Sequence, residues 1–340
     1  MRILVVDPMV GEDLTIERDG AEGCEIVPVF SRPDAPIPDA VYGDCDALLN
    51  YRARHALPAA TLAKLTRCRV VVQGGVGFNH VDLEAAAALG IPVCNTPDYG
   101  TMEVADHAVG LLLALVRGIP FYDAALRRPE TPWTPSPLPT VRRLAGLRVG
   151  LVGLGRIGLA TALRLRGHEV RLGFHDPLQP PGLERAVGIE RYESLADLLE
   201  RSDVLSLHLP LSPETAGLVG AAELARLPPG ALLINTARGG LVDLDALADA
   251  LRGGHLAGAA LDVLPREPAD RAHPLLAAWA AGEEWLRGRL VVTPHVAFHS
   301  PAGVDDMRRL ATLAVARYLR DGTLRSCVNA GSLRHVRPRG

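Results

Sequence analysis

Short runs of aliphatic and β-branched residues alternate along the whole chain with stretches whose apolar positions recur every three or four residues. The runs Ile3–Val6, Glu25–Phe30, Ala47–Asn50, Val70–Gln73 and Pro92–Cys94 predict five strands, and Ala59–Leu65 and Leu83–Leu89 predict helices between the later ones. Alternation of this kind predicts parallel sheet covered by helices, since a parallel crossover needs a return of helix length. A longer periodic stretch, Met102–Val116, places Val104, Ala108, Leu111, Leu112 and Leu115 on one face, and it is expected to bridge two domains. From Arg127 to Pro139 the chain reads RRPETPWTPSPLP; its prolines remove backbone donors and fix φ, so an irregular surface arm is predicted. A second series then follows: Val149–Gly153, Val170–His175, Val204–His208, Leu232–Asn235, Ala259–Val263 and Leu290–Val292. These six strands match a doubly wound sheet. A closing helix, Ala302–Leu319, precedes Cys327-Val328-Asn329, which is expected to return to the first domain.

Composition narrows the class. A length of 340 residues predicts two domains, and 48% hydrophobic with 22% charged residues is the balance of a globular protein. Net charge is −3 with a pI near 6.4, and the basic residues are scattered, so direct nucleic-acid binding is not expected. Cys24, Cys45, Cys68, Cys94 and Cys327 are odd in number and form no C-x-x-C pair, which argues against a disulfide framework or thiolate zinc site and favours a reducing cytoplasm. The opening MRILVVDP reads as a strand rather than a signal peptide. The longest apolar stretch, Ala108–Val116, is well short of the roughly 20 residues of a membrane span, so no membrane role is expected.

One motif carries specific chemistry. LRVGLVGLGRIG supplies a strand, then Gly153-x-Gly155-x-x-Gly158, then a helix beginning near Ile157. Gly153 permits the turn, Gly155 has no Cβ to obstruct a pyrophosphate, and Gly158 lets helix and strand approach; the first helical N–H groups then bind phosphate. The next strand ends at Asp176, whose carboxylate is placed to accept hydrogen bonds from a ribose. A 2′-phosphate there would meet a like charge, and Pro177-Leu178 offers no arginine, so NAD is favoured over NADP. Asp176 read alone is also an ordinary turn cap. The predicted fold class is α/β, with two doubly wound parallel-sheet domains. A flavodoxin-like substrate domain is expected from residues 1–100 with 300–340, and a Rossmann cofactor domain from 101–299.

At three later strand ends the chain reads Ile234-Asn235-Thr236-Ala237-Arg238-Gly239-Gly240, Leu261-Asp262-Val263-Leu264-Pro265-Arg266-Glu267-Pro268 and Thr293-Pro294-His295-Val296-Ala297-Phe298. With the glycine motif, these segments resemble the D-isomer-specific 2-hydroxyacid dehydrogenases, in which one Arg, one Glu and one His occur in that order. Asn95-Thr96-Pro97-Asp98-Tyr99, Ala259–Pro268 and Cys327-Val328-Asn329 look most like the branch that contains C-terminal binding proteins. The resemblance implies hydride transfer between NAD and a small 2-hydroxy or 2-oxo acid, by Arg238, Glu267 and His295. It implies nucleotide contacts at Thr101, Gly153, Gly155, Arg156, Ile157, Gly158, Asp176, His208, Thr236, Ala237 and Asp262, a homodimer, and no metal. For Asp262 a turn-stabilising role is the alternative.

The residue types suit that chemistry on their own terms. A guanidinium at Arg238 binds a carboxylate and polarises a neighbouring carbonyl at any relevant pH. His295 is the candidate proton donor and acceptor, and Glu267 is expected to fix its tautomer and stabilise the imidazolium. The first domain is expected to add Gln73, Gly75, Val76 and Gly77, whose turn presents N–H groups to an anionic substrate, with Phe298 also lining the pocket. Here the chain departs from its nearest branch: Gln73 stands where relatives often carry Arg, Asn79 replaces Asp, and Phe298-His299 replaces Trp-Tyr. A second substrate anion would then have to find Arg52 or Arg54. Two alternatives stay open, phosphite or phosphonate chemistry on the same scaffold and a nucleotide-sensing co-repressor-like role. Glu267 argues against formate oxidation, because formate dehydrogenases of this family carry Gln there. A chain closing at Gly340 is expected to lack the sensing domain of regulatory phosphoglycerate dehydrogenases.

Overall fold

The computed structural model describes residues 1–31, 37–51 and 55–337, so Arg52 and Arg54 lie outside the described residues. Two compact units are formed, one by Met1–Gly100 with His299–Gly340 and the other by Thr101–Phe298.

The first unit runs β1 (Arg2–Val6), α1 (Thr15–Gly20), β2 (Glu25–Val29), α2 (Asp39–Gly43), β3 (Ala47–Asn50), α3 (Ala59–Leu62), β4 (Val71–Gln73), α4 (Leu83–Ala88) and β5 (Val93–Asn95). Its sheet has the order β2-β1-β3-β4-β5, every pair parallel, as in flavodoxin-like folds. Strands β1, β3 and β4 are buried almost throughout, which is why they read as unbroken apolar runs rather than alternating ones.

The second unit opens with α5 (Thr101–Arg117) and α6 (Ile119–Leu126) and continues β6 (Arg148–Val152), α7 (Arg156–Leu165), β7 (Arg171–His175), α8 (Leu183–Val187), β8 (Glu190–Arg191), α9 (Leu195–Glu200) and β9 (Val204–Leu207). It finishes with α10 (Ala221–Arg226), β10 (Ala231–Asn235), α11 (Leu244–Arg252), β11 (Leu256–Leu261), α12 (Pro274–Ala281) and β12 (Leu290–Val292). The strand order β8-β7-β6-β9-β10-β11-β12 is the doubly wound Rossmann order with one further strand, and the topological switch falls between β6 and β9. The strand absent from the predicted six, β8, is only two residues long and pairs with β7 at an edge, too short to leave a periodic signal.

Helix α5 packs on α7 and on the β10–β12 side of the sheet, so Leu111, Leu112 and Leu115 enter the core of the second unit. The helix after it, α6, has no counterpart among the elements predicted from the pattern: Pro120 in its first turn reads as a breaker in sequence but is tolerated where the N–H has no helical partner. Residues 127–139 form neither helix nor strand, and Trp133 is 89% exposed.

The last helix, α13 (Pro301–Asp321), belongs to the first unit and packs on α1. Arg308, 2% exposed, donates from Nε and Nη2 to the two carboxylate oxygens of Glu17 at 2.9 and 2.7 Å, and Tyr51 donates its hydroxyl to Glu17 at 2.8 Å. A bidentate pair with a third donor satisfies a charge that burial alone would penalise by several kcal/mol, on the order of 5. Among the described residues no single helix is long and apolar enough to cross a membrane.

Candidate active site

In the second unit the glycine turn follows β6 at the switch point. Gly153 has φ +90°, and a Cβ there would lie 2.6 Å from the His208 carbonyl oxygen; a Cβ on Gly158 would lie 2.2 Å from the Gly153 oxygen. Both glycines are therefore dictated by the protein's own packing. At Gly155 a Cβ would meet nothing within 4 Å. Gly155 caps α7 with no side chain on the helix N–H groups and no acid in the first turn. Arg156 and Ile157 open that helix. The turn is braced from β7, where Asp176 accepts from the N–H groups of Leu154 at 2.8 Å and Leu178 at 3.0 Å. Asp176 is thus a turn cap, and it lines a cavity with His175, Gln179, Glu184 and Arg191. Arg191 escaped sequence reasoning because it lies on a different strand. Its Nε donates to Glu184 at 3.0 Å and its Nη2 to the Pro180 carbonyl at 2.8 Å, so it props the turn after Asp176.

Three buried polar atoms of this unit lack a hydrogen-bond partner: Thr101 Oγ1, His208 Nδ1 and Thr236 Oγ1. Each such atom is costly unless a ligand or a water satisfies it. Open space over Gly155, a bare helix N-terminus and these unpaired atoms fit a dinucleotide. His208 donates to, or accepts from, Ser206 through Nε2 at 2.9 Å, and burial pulls its pKa down to about 4.

Arg238 follows β10 on a turn wrapped by buried Asn235, whose Nδ2 donates to the Arg238 carbonyl at 2.9 Å and whose Oδ1 accepts from the Ala237 N–H at 3.0 Å. Gly239 meets the backbone of Leu264-Pro265, since a Cβ would fall 1.9 Å from the Leu264 carbonyl carbon. That contact locks the Arg238 turn against the loop after β11, which carries Glu267. One Glu267 oxygen accepts from the Leu264 N–H at 2.9 Å and the other faces His295 Nδ1 at 2.6 Å. His295 sits at φ +52°, and its ring meets Phe298 edge to face at 6.2 Å.

Asp262, 1% exposed, holds the histidine turn. It accepts from Thr293 Oγ1 at 2.6 Å and from the N–H groups of Val296 and Ala297 at 2.9 and 3.0 Å, while its carbonyl accepts from the His295 N–H at 2.8 Å. His107, on α5, reaches Thr293 Oγ1 at 3.1 Å. Nothing in sequence spacing could have joined His107 to a loop so far along the chain.

Comparison with known proteins places this geometry. Residues 109–297 match the description "D-isomer specific 2-hydroxyacid dehydrogenase, NAD binding domain". The chain is a member of that family. It is 40% identical over 281 residues to D-3-phosphoglycerate dehydrogenase of Mycobacterium tuberculosis, covering 82% of this chain but 50% of that protein, so it spans about half the length of those relatives. It is 38% identical over 273 residues to glyoxylate reductase of Thermofilum pendens, covering 80% and 76% of the two chains. Among solved structures, an NADPH-dependent glyoxylate/hydroxypyruvate reductase of Sinorhizobium meliloti, complexed with NADP and malonate, superposes with a TM-score of 0.81 at 33% identity, over 99% and 98% of the chains.

In this family member, burial pulls the Glu267 carboxyl upward, but its bonds to His295 and the Leu264 N–H and the nearby Arg238 charge outweigh that, leaving it below the ordinary value. Glu267 is thus an anion through the neutral range. In the first unit, Gln73 is buried and its Oε1 faces His80 Nε2 at 2.8 Å. The following turn is held by its carbonyls: Gly75 accepts from the Thr96 N–H at 3.0 Å and Val76 from Asn95 Nδ2 at 2.8 Å. The N–H groups of Gly75, Val76 and Gly77 point to no acceptor among the described residues.

Proposed function

We propose that the chain is an NAD-dependent oxidoreductase interconverting a small D-2-hydroxy acid and its 2-oxo acid. The observation that carries the reading is the 2.6 Å contact between His295 Nδ1 and Glu267, on a loop locked to the Arg238 turn. With Nδ1 donating to an ionised carboxylate, Nε2 is the nitrogen that gives a proton to the C2 oxygen in reduction and takes it back in oxidation. Glu267 keeps the ring in that tautomer and stabilises the imidazolium. Arg238 binds the substrate carboxylate as a planar fork and polarises the adjacent carbonyl. The nicotinamide, when bound, supplies or accepts the hydride. Asp262 acts through the backbone of Val296 and Ala297, which sets the orientation of His295.

NAD rather than NADP fits Asp176, because a 2′-phosphate would face its carboxylate and that of Glu184, and Arg191 is already engaged with Glu184 and backbone carbonyls. The N–H groups of Gly75, Val76 and Gly77 are an anion-binding turn of the first unit. A homodimer in the cytoplasm completes the reading; exposed Ile119, Leu126 and Trp133 support self-association. The relatives described above act, by name, on phosphoglycerate, glyoxylate and hydroxypyruvate. They favour a metabolic acid over the co-repressor-like role suggested by likeness to C-terminal binding proteins.

The test is NADH and NADPH oxidation against pyruvate, glyoxylate, hydroxypyruvate, 3-phosphohydroxypyruvate, branched and aromatic 2-oxo acids and phosphonopyruvate, with phosphite assayed in the NAD-reducing direction. Saturable turnover of a 2-oxo acid supports the proposal. Turnover of phosphite alone, or tight NADH binding with no turnover of any of these, overturns it.

A further inference from the structure

Cys94 is the middle residue of β5, and Cys327 lies opposite it in an antiparallel bridge that brings the segment after α13 back to the sheet. The flanking hydrogen bonds run from the Val328 N–H to the Val93 carbonyl at 2.8 Å and from the Asn95 N–H to the Ser326 carbonyl at 3.1 Å. Bonds on both sides and none between them make this a non-hydrogen-bonded pair, in which facing Cα atoms lie about 4.5 Å apart and side chains come closest. A disulfide spans Cα separations of about 4.4–6.8 Å. Both thiols are free. The return segment is pinned on its far side as well: buried Asn329 accepts from the Val93 N–H at 2.9 Å and donates to the Ile91 carbonyl at 3.0 Å, fixing Cys327 over its partner.

The two sulfurs also differ in chemistry. The Cys327 thiol donates to Asn329 Oδ1 at 3.3 Å. The neighbouring Cys94 sulfur and the backbone of Asn329 and Val93 bring Cys327 down to about 7 against the opposing effect of burial, while Cys94 is pushed up by its Cys327 neighbour and by burial. Cys94 is 2% exposed and Cys327 is half-buried. The partly exposed sulfur is thus the one more easily ionised, and the buried one behind it is held protonated, the division of labour of a reacting and a resolving cysteine.

We propose that Cys94 and Cys327 are a reversible thiol–disulfide site that reacts with hydroperoxides. The Cys327 thiolate attacks the terminal peroxide oxygen, the O–O bond breaks, and Cys327 becomes a sulfenic acid as the alkoxide or hydroxide leaves and is protonated. Cys94 sulfur then attacks the Cys327 sulfur, the S–O bond breaks, and water departs with the Cys94 proton. Two thiols are oxidised by two electrons, and the hydroperoxide is reduced to an alcohol, or to water, plus water. The site is independent of the proposed dehydrogenase activity. Its product clamps Ser326–Asn329 onto β5, next to Asn95, whose side chain holds the Val76 carbonyl of the glycine-rich turn.

Cys45 and Cys68 provide the contrast within the same unit. These two sulfurs are also neighbours, yet they are 1% and 0% exposed in the core, and each thiol donates its proton to a backbone carbonyl, of Tyr42 at 3.3 Å and of Val70 at 3.1 Å. Neither sulfur of that pair is exposed as Cys327 is.

The experiment treats the reduced full-length chain with hydrogen peroxide at neutral pH, then counts thiols after denaturation and maps cross-links by non-reducing peptide mass spectrometry. The expected result is a Cys94–Cys327 cross-link that forms well before any Cys45–Cys68 cross-link and is reversed by dithiothreitol. In Cys94→Ser, a dimedone adduct is expected on Cys327. No 94–327 cross-link in the folded wild-type chain, or cross-linking of both pairs at the same rate, would overturn the proposal. The wild-type mapping decides the matter even if a variant fails to fold.

Discussion

The Nδ1 atom of His295 lies 2.6 Å from a carboxylate oxygen of Glu267, and the other oxygen of that carboxylate accepts the Leu264 N–H, so the imidazole is oriented by an acid that is itself anchored to backbone. On the proposed mechanism this leaves Nε2 for the substrate. His295→Ala is expected to cut turnover roughly a hundredfold or more with NADH affinity nearly unchanged. Glu267→Gln is expected to cost less and to shift the pH profile of turnover, because an amide cannot stabilise the imidazolium. Steady-state kinetics with a fluorescence titration of NADH check both, and unchanged turnover in His295→Ala would remove it from the mechanism.

Gly155 and Gly158 predict opposite outcomes. Gly158→Ala is expected to lower the melting temperature markedly, because the new Cβ would lie 2.2 Å from the Gly153 oxygen. Gly155→Val is expected to melt close to wild type while losing most NADH affinity, since its side chain enters open space where the pyrophosphate is proposed to lie. Thermal melts paired with NADH titration separate the two; intact NADH binding in Gly155→Val would displace the nucleotide from that turn.

His208 predicts a pH-dependent stability. Burial holds its folded-state pKa at about 4, below the ordinary value near 6.5, so the unfolded chain binds the proton more readily. Its contribution is therefore full above about pH 6.5 and is lost as pH falls toward 4, with a slope of up to roughly 1.4 kcal/mol per pH unit. Denaturation between about pH 4.5 and 7 in the absence of nucleotide is expected to show a shallower dependence for His208→Asn than for wild type.

Arg308 and Glu17 tie the last helix of the first unit to its first helix through a buried bidentate pair. Arg308→Met is expected to destabilise by about 3–5 kcal/mol, because it leaves a carboxylate buried without its cation. Glu17→Gln with Arg308→Met removes both charges while retaining an acceptor for the Tyr51 hydroxyl, and is expected to recover most of the loss in urea denaturation.

Much of this protein was legible in the order of its residues, for a physical reason: strand runs, the Gly153-x-Gly155-x-x-Gly158 turn and the acid closing the next strand are local features. Each is dictated by backbone conformation or by what a few neighbouring residues must bury, so sequence alone determined the α/β class, both doubly wound sheets and the segments carrying Arg238, Glu267 and His295. Only tertiary structure decided what those segments do to one another. Asp262 reads in sequence as a nucleotide neighbour or a turn cap, and folding made it the brace of the His295 turn, joined by Thr293 and a histidine from a distant helix. Arg191 beside the Asp176 turn, and Cys327 opposite Cys94, are likewise invisible to spacing. Hydrogen bonds and thiol pairs depend on distances of a few ångströms between strands, and no periodicity along the chain encodes which strand ends will meet.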